Sequence, residues 1–245
     1  MKHTCDDCLA TLLSFLFFFP LSSQARAHVD AVCTVRPITT LYIVNRTRAN
    51  GEKLAEYART SPSTYGRLRQ ISVLEAPDRA CVQNAHVICT TTNASKPLFD
   101  GTWLNQERGT HLNAVGSYTP SMQEIDVETV ARCAVIVDTP HALSCGDLAM
   151  ARRERNVVEK THGLIELGSA LKNECSTLER REKWLSSLES ERRSERSGGG
   201  GGGGGNERVN CTLFKSVGTS VQDISTAGEV VRKARAMNIG RVIGM

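Results

Sequence analysis

Short apolar runs rich in β-branched residues, separated by helical or loop segments, recur along the first 150 residues, and this alternation constrains the fold most. Leu41-Tyr42-Ile43-Val44, Ile71-Ser72-Val73-Leu74, Val87-Ile88-Cys89-Thr90, His111-Leu112-Asn113-Ala114-Val115 and Ala134-Val135-Ile136-Val137 read as strands. A short helix is predicted over Ala25 to Val32 and a longer one over Arg48 to Arg59. Strands alternating with helices imply an α/β fold with a parallel sheet, and ligands of such sheets bind at the carboxyl ends of the strands. Asn45, Thr91 and Gly116 each lie just past a strand and mark where chemistry is expected.

Composition narrows the function classes. Thirty Lys and Arg against 26 Asp and Glu give a net charge of +4 over 245 residues, too little to imply a polyanion partner. Aromatic residues are only 5%, which argues against a stacking surface for single-stranded nucleic acid. Apolar residues at 40% and charged residues at 23% exclude a wholly disordered or multi-span membrane chain. The nine cysteines, at 5, 8, 33, 81, 89, 133, 145, 175 and 211, are odd in number and irregularly spaced, unlike a secreted disulfide framework, and are read as mostly reduced. Cys5 and Cys8 have the spacing of half a zinc site, but no second pair follows; His141 and Cys145 likewise lack further ligands, so no metal is expected.

The first 27 residues admit two readings. Lys2, the apolar stretch Leu9 to Leu21 and Ala25-Arg26-Ala27 look like a secretory signal, which would make the product secreted. Asp6 and Asp7 oppose this, and Ser14 to Phe19 also suits a central strand covered on both faces. The strand reading, with a cytoplasmic chain, is preferred. Residues 1–23 are therefore an apolar leader or damaged first strand, 24–170 the α/β body, 171–210 a charged helix and glycine linker, and 211–245 a return segment.

After Ala151 a charged helical stretch is expected to about Arg196, followed by eight glycines from Gly198 to Gly205. Such a run spans on the order of 15 Å as a flexible coil. Leu164, Leu171, Leu178 and Leu185 repeat every seven residues, but Gly168, Cys175, Glu182 and Glu189 occupy the alternate apolar positions, so a packing or surface helix is expected instead of a zipper. A docked terminal helix is predicted, capped by Thr219 and striped by Val221, Ile224, Val230, Val231 and Ala234.

A dinucleotide site needs a glycine turn after the first strand and, about 20 residues on, a side chain reading the adenosine ribose. Asn45-Arg46-Thr47 ends the second strand with a guanidinium and two short polar side chains where an acid would bond a free ribose hydroxyl. That set suits a 2′-phosphate, hence NADP(H). The first feature is damaged, because Phe19-Pro20-Leu21-Ser22-Ser23 has no glycine and Pro20 has no amide to donate.

At these residues the chain resembles the ornithine cyclodeaminase and mu-crystallin family. Gln24-Ala25-Arg26-Ala27-His28, Ile43 to Thr47 with Asn50, Thr90 to Ala94 with Pro97-Leu98-Phe99, and His111 to Pro120 with Gln123-Glu124-Ile125-Asp126 carry the resemblance. Val137-Asp138, Gly146-Asp147, Phe214-Lys215-Ser216-Val217-Gly218 and Gln222-Asp223 extend it. The resemblance implies a Rossmann-like NAD(P)-binding domain, lacking most of the family's amino-terminal substrate and dimerisation lobe. It implies cofactor contacts from Ser23, Gln24, Asn45, Arg46, Thr47 and Asn50, from Thr90, Thr91, Thr92 and Asn93 on the adenine side, and from Asn113, Val115 and Gly116 on the nicotinamide side, with Ser216 and Gly218 closing over it. The activity implied is NADPH-dependent reduction of cyclic ketimine carboxylates, with weak or absent turnover because the substrate lobe has no counterpart. Tyr118 stands where the cyclodeaminases resemble one another in having an aspartate, which disfavours ornithine cyclisation and makes Tyr118 a candidate for the substrate pocket; no catalytic residue is assigned. A binding protein that holds NADP(H) without reduction is the alternative. The family's homodimer is implied as well, with no nucleic acid or membrane partner.

Overall fold

The computed structural model describes residues 13–18, 23–155, 164–168 and 210–241. Strands and helices alternate as β1 (Leu13–Phe18), α1 (Ser23–Val35), β2 (Ile38–Val44), α2 (Arg48–Thr60), β3 (Gln70–Leu74), α3 (Arg79–Asn84), β4 (Val87–Thr90) and β5 (His111–Ala114). There follow α4 (Val127–Ala131), β6 (Cys133–Val137), α5 (Gly146–Arg155), β7 (Leu164–Glu166), β8 (Cys211–Lys215) and α6 (Ser220–Ala236). The strands join one eight-stranded sheet in the order β3-β2-β1-β4-β5-β8-β6-β7, and every neighbouring pair is parallel.

Both faces of the sheet are covered, which explains why its strands read as continuous apolar runs instead of alternating ones. Along β4 the side chains alternate: Val87 and Cys89 join Ala25, Val29 and Cys33 of α1 and Leu54, Ala55 and Ala58 of α2. Ile88 points the other way, into a cluster with Leu112, Val130, Val135, Leu148 and Leu213. Helix α1 outgrows its predicted span by two residues at the front and three at the back, because the Val29, Val32 and Cys33 stripe is buried to its last turn. A carboxylate clamps the outer layer. Asp30 of α1 accepts hydrogen bonds from Ser61 and Ser63, each at 2.6 Å, and from Tyr57 of α2.

Two expectations for the second half are corrected. The charged stretch beyond Ala151 is not helical throughout: α5 is described through Arg155, and Leu164–Glu166 forms β7 in register with Val135–Val137. The outer edge of β6 presents amides and carbonyls that need partners, and a short extended segment supplies them where a helix cannot. The terminal helix forms as expected, with Thr219 N donating to Gln222 Oε1 at 3.1 Å, but it is not docked: none of its residues is buried. Val221 and Ile224 remain about 70% exposed, because the described body offers no surface beneath their stripe. The segments holding Leu171, Leu178, Leu185, the glycine run, the Cys5–Cys8 pair and the Pro20 turn lie outside the described residues. Among the described residues no helix is long and apolar enough to cross a membrane.

Asp126 shows how the loops near the sheet's carboxyl edge are fixed. Its two oxygens accept from Thr129 N at 2.7 Å and Gly101 N at 2.9 Å, capping α4 and tying it to the 101–103 turn. Asp126→Ala is expected to lower unfolding stability by about 1–2 kcal/mol, read as a lower urea midpoint. An unchanged midpoint would show that the cap is dispensable.

Candidate functional site

The strand order reverses direction at β1, which has β2 and β3 on one side and β4 onward on the other. In open α/β sheets the crevice at such a reversal is the ligand site. A cleft of about 640 Å³ lies there, lined by residues 44–47 and 50 after β2, 75–77 after β3 and 92–98 after β4. Asn45 Oδ1 accepts the Thr47 amide at 2.8 Å, and Asn50 N donates to Thr47 O at 2.9 Å, so the Asn45–Thr47 turn is rigidly shaped before α2 begins. Arg46 and Lys96 bring two cations to this cleft from different loops, and Glu75 brings a carboxylate.

Beside the cleft, three ionisable side chains are completely enclosed. Glu124 accepts from Thr90 Oγ1, Thr92 Oγ1 and Gly116 N, each at 2.8 Å, and from Thr92 N. Asp147, at the start of α5, accepts from Glu124 N at 2.7 Å, Ile125 N at 3.1 Å and the Ser117 hydroxyl. Lys215, the last residue of β8, donates to Ser117 Oγ at 2.7 Å and stands 3.4 Å from Asp147 Oδ2. All three side chains are essentially without solvent exposure. Together they lash the ends of β4, β5 and β8 to α5. Only glycine fits at 116, because a Cβ there would collide with the Thr92 backbone and the Glu124 carboxylate. A further carboxylate, Asp138, receives Ser216 Oγ at 2.8 Å and the amides of Val217 and Gly218 at 2.9 Å, fixing the turn after β8.

The residues expected to touch a cofactor divide between these two arrangements. Asn45, Arg46, Thr47, Asn50, Thr92 and Asn93 line the cleft. Ser23 and Gln24 lie exposed at the start of α1. Thr90 and Thr91 are buried beneath the post-β4 loop, and Thr90 spends its hydroxyl on Glu124. Asn113 donates to Cys89 Sγ at 3.4 Å, Val115 N to Thr90 O at 2.9 Å, and Gly116 N to Glu124. Ser216 and Gly218 are tied to Asp138, and Tyr118 is half exposed after β5. Sequence reasoning missed Glu75, Lys96 and the buried trio as site-forming residues. A lysine closing the otherwise apolar run Cys211-Thr212-Leu213-Phe214 was the available signal for a buried charge.

The trio generates two predictions. Lys215→Met leaves a buried carboxylate without its cation and is expected to destabilise by about 3–5 kcal/mol, with Asp147→Asn in the same chain restoring part of the loss in urea unfolding. No rescue would mean that the two charges do not depend on each other. Burial pushes the Glu124 carboxyl up, the Asp147 charge adds to this, and the Thr92 and Thr90 bonds oppose it. The folded chain then holds a proton that the unfolded chain has lost, so stability is expected to fall as pH rises from the ordinary carboxyl value through the raised one. Glu124→Gln should flatten that fall, and an identical slope in the variant would assign it to other groups.

Comparison with known proteins agrees with this architecture. A Delta(1)-pyrroline-2-carboxylate reductase from Bacillus cereus is 30% identical over 223 residues, covering 90% of this chain and 57% of its own length. Ketimine reductase mu-crystallin from Macropus fuliginosus is 32% identical over 133 residues, or 54% of this chain and 38% of that one. The chain thus spans little more than half the length of the pyrroline-2-carboxylate reductase. Among solved structures, Thermococcus litoralis Delta(1)-pyrroline-2-carboxylate reductase, in complex with NADH and L-proline, has a TM-score of 0.66 at 23% identity, covering 96% of this chain and 62% of that chain. The likeness to that structure carries the fold. The model of the ornithine cyclodeaminase/mu-crystallin family matches residues 20–238, and with the parallel sheet and its carboxyl-edge cleft this places the chain in that family.

Proposed function

We propose that the chain holds NADP(H) in the carboxyl-edge cleft and serves the reduction of cyclic imines bearing a carboxylate. The observation that carries the reading is the convergence of Arg46 and Lys96 on one cleft beside Asn45, Thr47 and Asn50, with no acid at the end of β2. Two cations with short polar neighbours suit a ribose phosphate better than a free ribose. Glu75, on the loop after β3, is a carboxylate that Arg46 or Lys96 can offset. The relatives' names supply the substrate class: one reduces pyrroline-2-carboxylate and one is a ketimine reductase.

A nicotinamide held in this cleft would supply the hydride for reducing the electrophilic carbon of a protonated imine. The chain's own part is to bind and orient. Arg46 and Lys96 hold the phosphate-bearing end, and Thr92 and Asn93 flank the cleft at the end of β4. Asn113, Val115 and Gly116 form the ledge at the end of β5, kept rigid by Glu124 and Lys215 below it. Asp138 holds the Ser216–Gly218 turn beside that ledge. Rigid ledges matter because a hydride donor and its acceptor must be held within near-contact distance.

A second reading, binding without reduction, is favoured by one observation. Glu124 spends its carboxylate on Thr90, Thr92 and Gly116, and Lys215 and Asp147 meet each other and Ser117, so none of the three enclosed groups is presented to a ligand as a proton donor. Fluorescence titration with NADPH and NADH separates the possibilities. Saturable NADPH binding is expected, about tenfold or more tighter than NADH and weakened by a similar factor in Arg46→Ala. Equal affinity for both nucleotides would remove the phosphate assignment, and no binding would remove the cofactor reading. NADPH oxidation with piperideine-2-carboxylate then distinguishes reductase from binding protein.

A further inference from the structure

Six cysteines lie among the described residues, all as free thiols, and two of them meet. Cys133 opens β6 and Cys211 opens β8; the strands run parallel with these residues directly opposite in the ladder. Opposed positions of a parallel pair put their side chains on the same face, with strands about 4.8 Å apart. That spacing lies within the Cα separations of about 4.4–6.8 Å that disulfides span.

Their surroundings distinguish them from the other thiols. Burial pushes Cys33 and Cys81 up to about 11 and Cys89 up to about 12, which keeps those sulfurs protonated and inert. Cys211 moves the other way. The neighbouring Cys133 thiol, the Thr110 backbone and the Arg132 and Arg108 guanidinium groups favour its thiolate against the cost of burial, and lower it from the ordinary thiol value. Gln106 Nε2 donates to Cys211 Sγ at 3.5 Å, and the Cys211 thiol in turn donates to Asn105 O at 3.7 Å. These two residues belong to a half-buried loop, and Cys133 and Cys211 beneath it are themselves fully buried. The pair sits at the amino-terminal ends of its strands, at the opposite edge of the sheet from the cleft.

We propose that Cys133 and Cys211 form an oxidisable dithiol site that closes to a cross-strand disulfide with hydrogen peroxide or a similarly small hydroperoxide as oxidant. The Cys211 thiolate attacks one peroxide oxygen, the O–O bond breaks, and the departing hydroxide takes a solvent proton to leave as water. The Cys133 sulfur then attacks the Cys211 sulfenic acid; the S–O bond breaks, and that hydroxide leaves as water with the Cys133 proton. Two thiols are oxidised by two electrons, and one peroxide is reduced to two waters. The product ties β8, which lies between β5 and β6, covalently to β6.

The full chain treated with hydrogen peroxide, quenched, unfolded and alkylated tests this by peptide mass spectrometry. Expected is a link between the segment beginning at Cys133 and the one holding Cys211, reversed by dithiothreitol, with Cys33, Cys81 and Cys89 still alkylated as thiols. Tandem spectra distinguish Cys133 from Cys145, which shares its tryptic peptide. In Cys133→Ala, checked for folding by circular dichroism, the reaction should stop at a sulfenic acid on Cys211 that dimedone traps, and Cys145→Ala should leave the link intact. Recovery of Cys133 and Cys211 as thiols from the wild-type chain would overturn the proposal. So would a link formed equally in urea, since the folded register would then play no part.

Discussion

The ammonium of Lys215 is shut inside the protein, and the carboxyl edge of the sheet is arranged around it. A buried charge is tolerated only when paired and fully hydrogen-bonded, so the lysine demands Asp147, and both demand Ser117. Asp147 in turn draws in the amides of Glu124 and Ile125, and Glu124 closes on the loops after β4 and β5. One cation therefore sets the positions of the backbone at 90–92, 115–117, 124–125 and 146–147. These segments lie at the carboxyl edge of the sheet beside the cleft, and their rigidity follows from the cost of leaving any of those groups unpaired.

Strand order does the rest. Because β1 has β2 on one side and β4 on the other, the loops that leave their carboxyl ends diverge and open a cleft between them. The helices close both faces of the sheet and leave that edge as the place where polar side chains gather. The dithiol at the other end of β6 and β8 depends on the same ladder, which sets the two sulfurs opposite each other.

Much of this was legible in the chain. The runs at 41–44, 71–74, 87–90 and 134–137 have the β-branched content of buried strands, and each forms one. Asn45, Arg46, Thr47 and Asn50 were findable because they follow one another after one strand and so share a local signal. Lys96 and Glu75 were not, since they reach the cleft from loops after β4 and β3. Strand β7 has three residues, too few for a periodic pattern, and exists through its pairing with β6. The stripe of α6 announced a helix correctly but not what its apolar side meets, because amphipathicity specifies a face and not a neighbour.

The sequence by itself determined the fold class, the family and the polar turn after β2, because each depends on residues adjacent in the chain or on a repeating local pattern. The tertiary structure decided that β8 enters the sheet between β5 and β6, that Lys215 is enclosed beside Asp147 and Ser117, and that Cys133 faces Cys211. Each of these joins residues about 70 to 100 positions apart. Their proximity is fixed by the packing of the whole sheet, and no local preference encodes it.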